Sequence, residues 1–308
     1  MQYNWVPVTG EFTEEKKKLI FQGKTVQYYK EQGKYDGPSI GKIFISPKFY
    51  EGTISSVVEF TKPNIDSVFE IIVFYSNESN NQKMLNAGLS GYSGMYRVRL
   101  LEGNQWKVLA ASGDGQNFNK RKRYNLKISI KGSKLRIHVD DIDVLSLTLN
   151  FPVPQSQIGI WCQDYSDIII HDFEVENREP KVFVAMEFNS PYVELYKNVF
   201  ENVCKEFDLE PIKADDSYNL GLIISDIVDQ ISESKIIIAE ITPNNPNVYY
   251  EVGYAHALNK PTILIAEKST KLPFDISPFR VLFYENSIDG KGKVEEKLRK
   301  FLKEIINK

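Results

Sequence analysis

The sequence predicts two domains of different class: an all-β antiparallel two-sheet sandwich over residues 1–177 and an α/β domain with a five-stranded parallel sheet over residues 181–308. Three observations predict it. Before Pro180, apolar and polar residues alternate at period two in many short runs broken by turn residues. After Pro180, continuous apolar runs alternate with apolar stripes at helical spacing. The 308 residues, 42% of them hydrophobic, are enough chain for two cores without staples.

In the first half, residues 42–46, 54–60, 68–75, 96–101, 106–111, 124–131, 135–140, 144–149 and 168–175 read as strands. Asp36-Gly37-Pro38, Gly113-Asp114-Gly115 and Lys131-Gly132-Ser133 supply turns between them. No helical stripe of convincing length follows the opening segment, so two antiparallel sheets are the predicted solution.

In the second half, residues 181–186 (KVFVAM) form a strand apolar on both faces. Ser190-Pro191 predicts a helix start, with Ser as cap and Pro in the first turn, followed by the stripe Val193, Tyr196, Phe200, Val203 and Phe207. Residues 209–214 give a second strand, and Leu220, Ile223, Ile224, Ile227 and Ile231 a second helix stripe. Strands follow at 236–241, 261–266 and 280–284, with a helix over 246–258 between the first two. Val294, Leu298, Phe301, Leu302, Ile305 and Ile306 mark a closing helix. In such a sheet ligands bind beyond the carboxyl ends of the strands, where the winding direction reverses.

Composition excludes several classes. With 38 Lys+Arg against 41 Asp+Glu, the net charge of −3 is too small for a disordered chain of this apolar content. No run approaches eighteen apolar residues, so no transmembrane helix is predicted. The opening MQYNWVPVTGEFTEEKKK lacks the pattern of a secretory signal. Cys162 and Cys204 fall in different halves, which argues against a disulfide framework and for a reducing, cytoplasmic setting. The basic run Lys120-Arg121-Lys122-Arg123 reads as a solvated turn, so nucleic acid is not expected as a partner, nor is a membrane.

The most informative stretch is 234–267, SKIIIAEITPNNPNVYYEVGYAHALNKPTILIAE. A strand ends at Ile241, and Asn245 stands as N-cap with Pro246 at the first helical position. Backbone donors at that start face the carboxyl edge of the sheet, a ready place for a phosphate or polar sugar. Glu251 borders the inward stripe Val248, Val252 and Ala255, and shares an edge with Tyr254 and Leu258. A carboxylate there is costly unless paired or used. Gly253, costing about 1 kcal/mol against Ala in mid-helix, predicts a close approach. An ordinary ion-paired helix residue and a packing accommodation remain the alternative readings.

These residues carry a resemblance. Residues 182–186 with Phe188, 234–242, 245–257 (NPNVYYEVGYAHA) and 260–265 resemble the superfamily that joins nucleoside 2-deoxyribosyltransferases with Toll/interleukin-1-receptor (TIR)-like nucleotide-binding domains. It covers roughly residues 181–290. The resemblance implies a flavodoxin-like fold and cleavage or exchange of the N-glycosidic bond of a nucleoside, nucleotide or NAD. The family's catalytic glutamate falls on Glu251. Breaking a ribosyl–base bond builds positive charge at the anomeric carbon, which a carboxylate stabilises or attacks.

Within that resemblance, Phe188, Asn189 and Ser190 are candidates to hold base or phosphate, with a helix cap beside one exposed aromatic as the alternative. Asp215 and Asp216 are candidates for ribose hydroxyls, or simply turn residues. Asn247 and Tyr250 complete the substrate-binding set, Tyr250 and its neighbour Tyr249 as base-stacking rings or as packing. His256 has no second His or Cys at ligand spacing, so no metal is expected. Glu240 stands where relatives carry Asp in an A-D-x-T motif, a departure in side-chain length.

The first half is more loosely similar to concanavalin-like jelly-roll sandwiches of lectins and glucanases, through residues 124–143 and 157–175. No Glu-x-Asp-x-x-Glu arrangement marks a retaining glucanase, so a recognition or regulatory module for a sugar or protein ligand is expected. Trp5, Trp106 and Trp161 are candidate sugar-stacking surfaces or plain structural residues. Together the resemblances imply a self-associating effector, of the kind used against phage, that hydrolyses NAD or a related nucleotide as substrate and needs no cofactor. Deoxynucleoside base exchange and a non-catalytic nucleotide-sensing module are the alternatives.

Overall fold

The computed structural model describes residues 3–16, 18–30, 33–78, 81–120, 122–151, 153–213 and 223–306. Two compact units emerge: Met1–Ile130, Leu135–Leu147 and Pro154–Asn177 form one, while Lys131–Lys134, Thr148–Val153 and Arg178–Lys308 form the other.

The first unit is an antiparallel sandwich. Its strands are β1 Trp5–Thr9, β2 Phe12–Glu15, β3 Lys18–Phe21, β4 Thr25–Lys30, β5 Gly33–Phe49, β6 Gly52–Phe60, β7 Val68–Glu78 and β8 Asn81–Ser90. They continue as β9 Tyr96–Glu102, β10 Gln105–Ser112, β11 Arg123–Lys131, β12 Lys134–Val139, β13 Ile142–Thr148, β14 Ser156–Asp164 and β15 Ile168–Asn177. One sheet runs β1-β5-β14-β7-β8-β9-β10 with β4 beside β5; the other runs β13-β12-β11-β6-β15-β3-β2. Every second residue of β6 is buried, as the period-two pattern requires. Ile54, Val58, Ile128 and Ile137 from one sheet, with Phe69, Ile71, Leu85 and Ile160 from the other, build the core.

The outward face of the larger sheet carries a buried ionic cluster. Glu70 is fully buried and accepts hydrogen bonds from Arg97 Nε (2.8 Å), Arg99 Nε (2.7 Å) and Asn86 Nδ2 (3.0 Å). The Arg99 guanidinium lies 3.9 Å from the Trp106 ring centroid and 5.4 Å from that of Trp161, and the two indoles meet edge to face at 5.5 Å. Trp106 and Trp161 are therefore engaged in packing, and of the two readings offered for them the structural one holds.

The second unit has five parallel strands: β16 Lys181–Ala185, β17 Glu210–Lys213, β18 Ile236–Glu240, β19 Thr262–Glu267 and β20 Val281–Tyr284. Their order is β17-β16-β18-β19-β20, so the winding reverses between β16 and β18. All five residues of β18 are buried, as for a strand covered on both faces. Val182, Val184, Ile236 and Ile238 pack on one face with residues of the first helical segment, 192–206, and of the last helix, Ile288–Ile306. Phe183, Ala185, Ile237 and Ala239 pack on the other face with the helices Ile223–Glu233 and Pro246–Ala257.

Three local expectations are corrected. Pro191, not Ser190, occupies the cap position of the first helix, and proline offers no side-chain acceptor. The Ser190 hydroxyl instead donates to Glu194 (3.4 Å), and the Asn189 carbonyl accepts from the amides of Tyr192 and Val193. That helix contains a π turn over Tyr196–Phe200, which widens the spacing: Tyr196, Phe200 and Val203 of the predicted stripe are buried and Phe207 packs partly buried against them, while Leu195, Val199 and Cys204 join the buried face and Val193 is only half-buried. Ile224 is 63% exposed; the second helix meets the sheet through Ile227 and Ile231.

Candidate active site

The switch point lies between the segments that follow β16 and β18, and a hydrogen bond joins them: Asn245 Nδ2 donates to Glu187 Oε1 at 3.4 Å. Asn245 does a second task. Its side-chain oxygen accepts from the Asn247 amide (2.9 Å) with φ −86° and ψ 115°, the geometry of an N-cap, and Pro246 follows at the first position. The helix Pro246–Ala257 therefore starts at the carboxyl edge of the sheet, as the sequence predicts.

Glu251 lies five residues into this helix, about 7.5 Å from its start. It is 6% exposed, in a face with Val248, Val252 and Ala255. Asn247 sits one turn earlier on the same face and is itself exposed. Tyr250 is 53% exposed, while Tyr249 donates to Asn244 Oδ1 at 3.0 Å and packs on the sheet. Gly253 departs from expectation: a Cβ there would meet nothing within 4 Å, so no close approach requires the glycine.

Phe188 is half-buried. Its ring meets Tyr196 edge to face at 5.9 Å, Lys213 Nζ lies 5.4 Å from its centroid, and it packs on the sheet face opposite the Glu251 helix. Asn189 and Ser190 are exposed. Asp215 and Asp216 lie outside the described residues. His256 stacks on Phe279 at 4.4 Å, and burial holds its imidazole below the usual range. No group of three His, Cys, Asp or Glu suited to a metal occurs among the described residues.

The most developed polar cluster surrounds Glu240, at the end of β18. Its carboxyl is fully buried and accepts from the Thr242 amide (3.2 Å), the Thr242 hydroxyl and the Tyr284 hydroxyl (3.3 Å). The Thr242 hydroxyl oxygen accepts in turn from the Glu267 amide (2.9 Å). Burial pushes Glu240 up to about 7, although these hydrogen bonds pull the other way. Burial, and then Glu240, raise the Tyr284 phenol as well. Glu240 and Glu267 end β18 and β19 and Glu187 follows β16, all at the carboxyl edge of the parallel sheet, and burial followed by these three carboxyls raises the Tyr192 phenol. The pair Glu240 and Thr242 was visible in the IAEIT run; Glu187, Tyr192, Glu267 and Tyr284 carried no local signal. Chemically, the rim offers an acid that titrates near neutral pH, with a separate buried carboxylate on the following helix.

No family model matches the chain, and no curated protein matches it. Among solved structures, it is similar to the carbohydrate-binding module CBM66 of Bacillus subtilis, at 15% identity and TM-score 0.42 over 55% of this chain and 92% of that one. It is also similar to the laminarinase catalytic domain of Thermotoga petrophila, at 12% identity and TM-score 0.37 over 56% and 92%. A CMP N-glycosidase of Clostridium botulinum matches at 18% identity and TM-score 0.32, over 38% of this chain and 97% of that one.

Proposed function

We propose that the α/β unit breaks the N-glycosidic bond of NAD or a related nucleotide, with Glu251 as the carboxylate facing the anomeric carbon. The observation that supports this reading is the burial of Glu251 on the helix that starts at the switch point, with Asn247 one turn nearer the edge. In the reaction the bond between C1 and the base nitrogen breaks, and the base leaves with the electron pair. The carboxylate stabilises the cationic sugar; a water oxygen then bonds C1 and its proton passes to solvent. Nicotinamide, cationic in NAD, departs neutral without protonation.

The test is chromatography of NAD, NADP, CMP, nucleosides and deoxynucleotides after incubation with wild type and Glu251→Gln. Cleavage by wild type that falls about a thousandfold in the variant, with circular dichroism unchanged, is the expected result. Equal cleavage by both proteins removes Glu251 from the chemistry. Transfer of the deoxyribosyl group to an added base, with NAD untouched, replaces hydrolysis by base exchange.

A further inference from the structure

The sandwich carries a cavity of about 740 Å³, in the range of small-ligand pockets. One wall is aromatic. Trp5 and Phe173 meet edge to face at 5.1 Å, Tyr3 contacts Phe173 at 5.8 Å, and the Tyr3 hydroxyl accepts from the Val175 amide at 3.1 Å. The wall is thus fixed before any ligand arrives. All three rings remain partly exposed.

Five charged side chains line the same cavity: Glu14, Lys16, Lys18, Asp172 and Glu174. None of the five forms an ion pair among the described residues. Two of them stand on left-handed backbone, Lys16 at φ +38° and Asp172 at φ +48°. Asp172 lies where the register of β15 against β6 shifts, between His171 and Glu174. A bulge of this kind re-aims side chains, and such conformations persist only where the surroundings hold them.

We propose that this cavity binds a neutral carbohydrate. Two ammonium groups beside three carboxylates nearly cancel, so a polyanion gains little from the site. An aromatic wall with abundant donors and acceptors matches a ring that has an apolar CH face and hydroxyls at its edge. The other two tryptophans are not equivalent candidates, because Arg99 lies over Trp106 and both indoles pack on the same guanidinium.

The chain has three tryptophans, so this 308-residue chain labelled with 5-fluorotryptophan gives three fluorine resonances. Neutral oligosaccharides of glucose, galactose, mannose and fructose are titrated beside sulfated and phosphorylated ones. The expected result is a saturable shift of the Trp5 resonance, identified by its loss in Trp5→Phe, with a neutral oligosaccharide. Trp5→Ala weakens that binding about tenfold or more, Glu174→Gln and Lys18→Met weaken it several-fold, and Trp106→Phe leaves it unchanged. No response to any neutral oligosaccharide at ~10 mM overturns the proposal, as does a shift confined to Trp106 and Trp161, or binding of charged glycans alone. Trp106→Phe and Trp161→Phe identify the other two resonances, so the Trp5 signal is assigned even where Trp5→Phe misfolds.

Discussion

Among the described residues each unit buries one glutamate completely, Glu70 in the sandwich and Glu240 in the α/β unit, and the two are treated in opposite ways. In the sandwich Glu70 meets two guanidinium groups and an amide. In the α/β unit the donors to Glu240 are uncharged: one backbone amide and two hydroxyls. At Glu240 desolvation disfavours the ionised carboxyl and the hydrogen bonds offset this only in part, which leaves it titrating at about 7. The two burials therefore differ not in residue type or exposure but in the charge of the partners that the fold supplies.

The comparison is broken most forcefully at Glu70. Glu70→Gln leaves Arg97 and Arg99 buried without an anion, and we expect a loss of about 3–5 kcal/mol. All three tryptophans lie in the sandwich, so urea unfolding followed by their fluorescence reads this unit. A loss under about 1 kcal/mol would show that the cluster is solvated and the contrast false.

Glu240 supplies the next largest effect. A carboxyl raised above its ordinary value of 4.5 binds its proton more tightly in the folded state. The stability it confers is complete below 4.5 and is lost as pH rises through about 7, a change of about 3 kcal/mol. Unfolding followed by the helical signal at several pH values should show wild type weakening over that window and Glu240→Gln holding level. A wild-type curve as flat as the variant's would place the titration elsewhere. The smallest effect sharpens the reading of the active-site helix. Gly253→Ala, with nothing within 4 Å of the new methyl, should raise stability by about 0.5–1 kcal/mol and leave cleavage unchanged. Destabilisation would reveal the crowding that the sequence suggested.

Much of the framework was legible because it obeys period and punctuation. The five-residue apolar run of β18, the Asn245-Pro246 helix start and the alternation of β6 and β12 follow from such rules. β8 did not, because NQKMLNAGLS is polar and glycine-bearing. Gly88 is required there by tertiary contact: a Cβ would sit 2.3 Å from the Phe69 carbonyl oxygen. Glu70 was hidden inside VFEIIVFY, since its two arginines arrive from β9, 27 and 29 residues later. The π turn was equally invisible, as one inserted backbone step leaves no mark in composition. At the candidate site, the placement of Glu251 could be read locally, whereas the Glu240 cluster depends on Tyr284, 44 residues away.

Thr242 has a consequence of its own. One hydroxyl oxygen receives the Glu267 amide while its hydrogen goes to the same acid that Tyr284 reaches, so Thr242 and Glu240 together knot the ends of β18, β19 and β20. Thr242→Val would cut the thread of that knot that runs to β19 and leave Tyr284 on Glu240, and its effect should refuse to add to changes at Glu240.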